Sequence, residues 1–595
     1  MMNTNKLPYL ASAFVLLLIG ILYFVCAPTT VQYGDTGELV TNSYFLRVSH
    51  PPGYPLWTLL YHLPVRYLSF STPFHIASIV TILISLAWLG ILAFKFKNEE
   101  SLALIGVVAT NIVFWRYSVL PDVFSLHMFF LTIVFLGFLK PELLSRSWFI
   151  FLTSLCVAHH HTILFVFPMY IYAFIQGHIK RNLFYSVLFG CLSFSLYFTL
   201  MYFHPYNLGS WGIVENAKDV INHFLRKDYG TFNLHTQGNN DLSWIRLFLM
   251  VMLTDFWSVL LALAYMLVRF WKDLRPYRSK LVIISLCLFF YFLIFYFTGV
   301  MSMNKFGESV FERFLMQPFL LLAFLLLVLI NVARLKLPRI LLLCLLVNTG
   351  TNLMQNFSVN DYSKNTVVED FLTNNFRIIP NNSVYYTVGD TWGFSTYYIH
   401  EVLKVRPDVL FFFNNLSFGW TLPKVAATFP DAFPVWKTTM LDSLNFEKYS
   451  FYTNQQPGQI PEYLQLSYHG ILFKLSKSDT RRPEKKYECD LGDKYSWRFR
   501  PKLEDLQKVE FSRVFDLMYA DCNLIKGNQF LAEKKYDLAA AEFFKAVKLS
   551  PLSTVYQERL CATYKLLEDP LYTECERRLD ELIMGSSQQY YLYEF

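Results

Sequence analysis

Two carboxylates three residues apart, Asp35 and Glu38, stand in the segment GDTGELVTNSYFLRVSHPPGYPL (34–56), directly after the first apolar run of the chain. Aspartate followed by glutamate at this spacing is a capping box, in which the first side chain caps a helix and the second reaches back to its amide. The same pair can do acid–base chemistry, because a carboxylate within hydrogen-bond reach of a hydroxyl can take its proton. Spacing alone leaves both readings open, and the downstream residues add weight to the chemical one. His50, Pro51, Pro52 and Gly53 interrupt any helix, since tandem prolines cannot continue it and hold the backbone extended. Pro55 to Leu63 then reads as a short aromatic amphipathic stretch lying in a membrane interface. Other turns between apolar runs carry Arg116, Asp122, His159 to His161, and Glu312 with Arg313. Ionisable groups beside lipid are costly unless they serve a cavity, so these turns are expected to converge on one polar site at the membrane rim. A simple structural role stands beside each: Arg313 could snorkel from a span end, and the histidines could satisfy buried backbone.

The elements that must position these groups are membrane helices. Of 595 residues, 54% are hydrophobic and only 16% charged, a balance unlike a soluble globular chain. A membrane helix needs roughly 20 apolar residues, and such runs recur from Leu10 to about Gln355 and then stop. Eleven spans are expected, near 9–27, 74–94, 101–118, 123–139, 147–158, 162–176, 183–203, 246–268, 281–299, 314–333 and 339–354. The first is expected to remain uncleaved, with a single lysine before it and no clear small-x-small site before Pro28. Lys6, Lys95, Lys97, Lys140, Arg146, Lys180, Arg181, the Arg269 to Lys280 cluster, Arg334, Lys336 and Arg339 fall on one side. The positive-inside rule makes that side cytoplasmic. Residues 28–73, the 116–122 and 159–161 turns, 204–245, 300–313 and everything after 355 then lie on the outer face. The net charge of +7 is mostly this topology. Its basic residues are scattered among loops instead of gathered in a patch with stacking aromatics, so no nucleic-acid partner is implied.

The organisation expected is a transmembrane domain over 1–355, a soluble α/β domain over 356–480 and a helical domain over 481–595. SVYYTVGDTWGFSTYYIHEVLKVRPDVLFFF (383–413) reads strand, turn, helix, strand, a β-α-β unit. Asp390, after the first strand, is expected to cap the helix. No Gly-x-Gly-x-x-Gly or Walker loop accompanies it. In KGNQFLAEKKYDLAAAEFFKAVKLSP, Gly527, Phe530, Ala539, Phe543, Ala546 and Pro551 fall at tetratricopeptide offsets, a helical hairpin or two that either packs on the α/β unit or grips a protein substrate. Cys489, Cys522, Cys561 and Cys575 would lie on the oxidising side, open to disulfide pairing and without the spacing of a metal site.

The opening segment resembles the first outer loop of the transmembrane protein 260 family, a branch of the multi-span GT-C glycosyltransferases. That loop has Gly-Asp-Ser-Gly-Glu followed by His-Pro-Pro-Gly-Tyr-Pro-Leu, and Thr36 stands here where the family has Ser. The likeness continues at DVFSLH (122–127), where the family more often has Glu-Val-Phe and Asn. It also covers HHT (160–162), FLRKDYGTF (224–232), ERFLMQ (312–317) and GDTWGFSTYYIHEVLKVRPDV (389–409). The resemblance implies a GT-C-like O-mannosyltransferase using a dolichyl- or polyprenyl-phosphate sugar, with a luminal protein acceptor and a tetratricopeptide tail. Animal members modify immunoglobulin-like IPT folds, whereas bacterial relatives share the loop with less defined donors and acceptors. Sequons at Asn356, Asn381 and Asn415 would suit an endoplasmic reticulum lumen in a eukaryote; a bacterial chain would sit in the inner membrane.

A lipid-linked donor has its tail in lipid and its phosphate at the interface, which calls for membrane helices and a polar pocket on one face. No Asp-x-Asp occurs in the chain, so a metal-independent, cofactor-free inverting reaction is expected. With that chemistry, Asp35 is the candidate base and Glu38 orients it or caps the helix. Asp122 is placed to hold the sugar; Arg313, Arg226 and His161 are candidates for the leaving phosphate; His50 and His160 complete the donor site. Two rivals share these features: a lipid-linked sugar transferase acting on a glycan or membrane lipid, and a multi-span transporter. Few ionisable residues within the spans and no evident repeat between the halves weigh against the transporter.

Overall fold

The computed structural model describes residues 6–176, 179–204, 207–231, 243–298, 310–387, 389–413, 421–434, 444–454, 464–477, 487–498, 512–551 and 553–590. It is mostly helical, with one small sheet. The chain divides into two compact units, Met1–Thr30 with Leu39–Lys364, and Val31–Glu38 with Asn365–Phe595. Asn415 lies outside the described residues.

Among the described residues of the first unit, six helices are long and apolar enough to cross a membrane: Leu7–Val25, Pro73–Lys95, Leu183–Tyr202, Arg275–Tyr296, Val310–Val332 and Arg339–Asn360. Two pairs qualify only when joined, Glu99–Thr110 with Ile112–Val119, bent by 69°, and Trp244–Asp255 with Trp257–Arg269, bent by 85°. Three shorter apolar helices, Phe124–Leu139, Ser147–Ala158 and His161–Gln176, coincide with the remaining expected runs. The described residues of the eleven runs are thus largely helical, while among them length and composition qualify six to eight as spans.

Each bend frees backbone groups that lipid cannot satisfy, and one helix face supplies their partners. Asn348, Asn352, Asn356 and Asn360 recur every four residues on Arg339–Asn360, one stripe of a helix, and all four are buried. At the 85° bend, Asn348 and Asn352 both donate to the Asp255 carbonyl (3.1 and 3.0 Å), and Asn348 Oδ1 accepts from Ser258 Oγ at 2.7 Å. At the 69° bend, Asn356 donates to the Thr110 carbonyl at 3.0 Å and Asn360 to the Ile112 carbonyl at 3.1 Å. The Asp255 carboxylate joins the two, accepting from Ile112 N at 2.8 Å and Asn356 Nδ2 at 2.7 Å. Asn111, the residue at the break, caps the second half by accepting from Val113 N and Phe114 N. The last span therefore runs on to Asn360, beyond the end expected at 354. Asn356, read as a sequon, is instead buried with its amide engaged.

The second unit holds a six-stranded sheet of order β2-β1-β3-β5-β4-β6. Its strands are β1 (Ser383–Thr387), β2 (Leu410–Phe413), β3 (Ser450–Thr453), β4 (Leu464–His469), β5 (Leu472–Lys477) and β6 (Tyr487–Glu488). The expected β-α-β unit is present, with Val384 opposite Leu410 in a parallel pair and β3 parallel on the other side of β1. Buried Tyr385, Tyr386, Phe411 and Phe412 explain why these strands read as continuous apolar runs. One expectation is corrected: Asp390 does not cap the helix Asp390–Tyr397 but is its first residue. Gly389, at φ +97°, takes the cap position, a backbone conformation that aspartate adopts only under strain.

The tail forms four successive helices, Ser512–Ala532, Tyr536–Leu549, Thr554–Leu566 and Tyr572–Tyr590. Ala539, Ala540, Phe543, Leu560, Cys561 and Cys575 form the core of the last three. Gly527 lets Phe543 approach, since a Cβ there would stand 2.6 Å from its ring. The four cysteines pair as Cys489–Cys522, which ties the segment after β6 to the first of these helices, and Cys561–Cys575.

Candidate active site

The His-Pro-Pro-Gly-Tyr block is a turn, not the extended segment that its prolines suggest: Gly53 N donates back to the His50 carbonyl at 2.8 Å, and the Pro51–Pro52 peptide is cis. Glycine is required at 53 twice over. Its φ is +96°, and a Cβ would stand 3.0 Å from the His223 ring and 2.9 Å from Leu200. His223, on the helix Ala217–Phe224, donates through Nε2 to the Ser49 carbonyl at 2.9 Å. Burial above all holds its pKa down at about 4, so it binds this turn as a neutral ring. His50 faces Tyr54 (Nε2 to hydroxyl, 3.3 Å) and the edge of Trp211. The turn thus presents His50 and Tyr54 together, and the Tyr54 ring stacks on His160 with centroids 5.9 Å apart.

His160 joins a second set of polar groups. Its Nδ1 accepts from the Thr162 amide at 3.3 Å and lies 2.7 Å from the Thr162 hydroxyl, which leaves the ring proton on Nε2. Burial, followed by the neighbouring His127, His159, His161 and Arg226, holds the pKa of His160 well below the usual histidine value. It is therefore a neutral hydrogen-bond donor through Nε2 at neutral pH. Thr162 also meets His127 Nε2 at 3.1 Å, and that ring lies 3.0 Å from Gln317 Oε1, while Gln317 Nε2 returns to the Thr162 carbonyl. His127 and Gln317 were not read as site residues in the sequence. Their signal was there, a histidine and a glutamine inside otherwise apolar runs at DVFSLH and ERFLMQ.

Two ion pairs stand beside this network. Arg313 Nη1 lies 3.3 Å from Asp122 Oδ2, and Arg116 Nη1 lies 2.5 Å from Glu312 Oε1, which also accepts from the Tyr117 hydroxyl. Both pairs are largely buried, so each charge needs its partner. Asp122 is fixed further by accepting from Val123 N through its other oxygen, and His159 Nε2 donates to the Val123 carbonyl at 2.9 Å. Phe124 links the sets, with the Arg313 guanidinium 5.9 Å above its ring and His160 5.1 Å from it. Arg116 Nε reaches Asn360 Oδ1 at 3.3 Å, so the asparagine face that braces the two bends ends at this pair.

Arg226 and His161 complete the group. Arg226 sits at φ +54°, a left-handed conformation uncommon for a residue other than glycine, with its guanidinium 5.0 Å from the Tyr229 ring. Its buried Nε and the buried Nε2 of His161 have no hydrogen-bond partner among the described residues. Arg226 also has no ion pair among them. A buried guanidinium N–H and a buried imidazole nitrogen, which donates in the Nε2–H tautomer, are groups that a phosphate would satisfy.

His50, Asp122, His160, His161, Arg226 and Arg313 are thereby brought into one neighbourhood of the first unit. Asp35 and Glu38 belong to the segment Val31–Glu38, which is part of the second unit. Asp35 directly precedes the helix Thr36–Phe45, and Glu38 is buried in its first turn, the positions of the capping-box pattern.

Residues 35–95 match the family model described as the Protein O-mannosyl-transferase TMEM260 N-terminal domain. Two relatives share more of the chain. The mouse protein named Protein O-mannosyl-transferase TMEM260 is 25% identical over 464 residues, covering 70% of this chain and 65% of the mouse protein. A Dictyostelium discoideum protein of the same name is 23% identical over 482 residues, covering 69% of this chain and 58% of its own. The chain therefore spans somewhat less than two thirds of the length of these relatives. The matched domain begins at Asp35 and runs through the His-Pro-Pro-Gly-Tyr turn into the helix Pro73–Lys95, so the chain is similar to the TMEM260 proteins over its first outer loop and, more distantly, over most of its length.

Proposed function

We propose that this chain is a membrane glycosyltransferase that moves a sugar, mannose by analogy with the names of its relatives, from a polyprenyl-phosphate donor to a serine or threonine hydroxyl of a protein acceptor. The observation that carries the reading is the pair of buried nitrogens without a partner among the described residues, Arg226 Nε and His161 Nε2, in the same neighbourhood as the Arg313–Asp122 pair of an apolar helical unit. A donor with a lipid tail and an anionic phosphate matches that combination. Asp35 takes the proton of the acceptor hydroxyl, the hydroxyl oxygen bonds to the anomeric carbon, and the bond from that carbon to the phosphate oxygen breaks with its electron pair. The phosphate leaves as an anion held by Arg226, His161 and Arg313. Attack opposite to the leaving group inverts the anomeric centre. Asp122, oriented by Arg313, accepts from sugar hydroxyls, His50 and His160 close the donor site, and Glu38 orients Asp35.

The two disulfides of the tail support a luminal or periplasmic location for the second unit. The test is transfer by the full-length protein in lipid nanodiscs, offered polyprenyl-phosphate mannose or the glucose equivalent, with a folded protein, a short serine/threonine peptide or a glycolipid as acceptor. Mannose on a protein hydroxyl is expected. Transfer only to glycolipid, or no transfer from either donor, would refute the reading.

A further inference from the structure

The sequence motif GDTWGFS (389–395) lies far from the rim residues in the chain and plays no part in the chemistry above. It begins where β1 ends, and β1 is flanked by parallel β2 on one side and parallel β3 on the other. The end of such a strand is a switch point, where open α/β sheets ordinarily receive a ligand. The helix that leaves it, Asp390–Tyr397, instead receives a segment of the same chain. Ser395 Oγ donates to the Gln32 carbonyl at 3.3 Å, and Gln32 Nε2 donates to the Asn365 carbonyl at 2.8 Å. Gln32, Ser395 and Asn365 are all buried. Gly37 lies against the helix backbone: a Cβ there would stand 2.8 Å from Ser395 Cα, 2.9 Å from Ser395 N and 3.0 Å from the Phe394 carbonyl carbon. Those are main-chain atoms, which no rotamer change can move aside.

We propose that the helix Asp390–Tyr397 is the positioning platform of the acid-bearing loop, and that Gly37 is glycine so that Asp35 and Glu38, on either side of it, can be seated on that platform. The α/β unit thus sets the geometry of the base instead of contributing a ligand site of its own. This rests on the catalytic reading of Asp35. Gln32 and Gly37 clamp the segment at both ends, and Thr36 Oγ1 ties the turn between them to the Gln32 and Tyr33 carbonyls. A base displaced by about 1 Å can lose about 10²-fold in rate.

The test is Gly37→Ala in the full-length protein, with Gln32→Ala and Ser395→Ala as variants that remove a contact without adding bulk. Two readouts are taken: hydrogen–deuterium exchange of 31–38 and 390–397, and steady-state transfer. Gly37→Ala should raise exchange in both segments and lower kcat on the order of 10²-fold with the KM for donor unchanged; the other two should do the same more weakly. If exchange rises in 31–38 while 390–397 keeps parent protection in all three variants, the segment is not seated there and the proposal fails. If both segments loosen and kcat is unchanged, seating does not position the base and the proposal fails. Asp35→Asn measured alongside separates the two claims: parent activity in that variant refutes the base reading, and the exchange data still decide the docking.

Discussion

Replacing Asn356 by leucine tests how the first unit holds its broken helices. The substitution fits an apolar helix by volume but removes an amide that donates to the Thr110 carbonyl at 3.0 Å and to the Asp255 carboxylate at 2.7 Å. Thr110 sits at the 69° break, where the bend has already taken the usual helical partner from its carbonyl. Leaving a buried acceptor unsatisfied costs about 1–3 kcal/mol, and more for a charged one. Asp255 keeps Ile112 N on the same oxygen and the Thr254 hydroxyl on the other, which limits the charged term. Hydrogen bonds between membrane helices average nearer ~0.6 kcal/mol because the unfolded state also finds partners. The break decides between these figures, since a freed carbonyl cannot return to its own helix, and a loss of about 2–4 kcal/mol is expected. Detergent-solubilised protein should melt several degrees lower. Met354→Leu, on the exposed face of the same helix, should melt with the parent. Equal melting of Asn356→Leu and the parent would refute the bracing role of the asparagine stripe.

Gly53→Ala should distort the turn that presents His50 and Tyr54, because it combines a φ of +96° with contacts near 3 Å to His223 and Leu200, and donor KM should rise. His223 gives a pH dependence of definite sign. Its pKa is held down at about 4, so the unfolded turn takes up a proton near pH 6.5 before the folded one does. Protection of residues 46–58 should therefore fall as pH drops from about 6.5 to about 4, by on the order of 3 kcal/mol, and then level off; an unchanged profile in His223→Gln would contradict this. Arg226→Met should weaken donor binding more than Arg226→Lys, read by donor KM, because lysine keeps the cation while both variants lose the buried Nε–H. Reducing Cys489–Cys522, or replacing both cysteines by serine, should lower the stability of the second unit by about 2–4 kcal/mol, measured by urea unfolding.

The helices of the first unit were legible because lipid demands long apolar runs, and the described residues of the expected runs are largely helical. The bends at Asn111 and Phe256 were not, since hydropathy sums across a break without sensing it. The compensating signal was present: asparagine at 348, 352, 356 and 360 is a stripe that no lipid-facing helix tolerates. Reading the region for its apolar residues hid the stripe and turned Asn356 into a sequon. Arg313, Asp122 and the histidines could be gathered in advance because charge beside lipid is rarely idle. Their pairings could not, since Arg313 with Asp122 joins residues 191 apart in sequence. The packing of 31–38 with the second unit was invisible for the same reason: Gly37 reads as part of a turn motif, and only the fold shows the backbone it lies against.

Asp35→Asn tests the central claim most directly. Asparagine caps a helix about as well as aspartate, so the helix Thr36–Phe45 should be retained, but its amide cannot take a proton from an attacking hydroxyl. General-base contributions are typically about 10²–10⁴-fold. Single-turnover transfer from polyprenyl-phosphate mannose should fall by that order at unchanged donor binding, with Glu38→Gln costing less. Transfer by Asp35→Asn at the parent rate would make Asp35 a cap and move the base to Asp122 or Glu38.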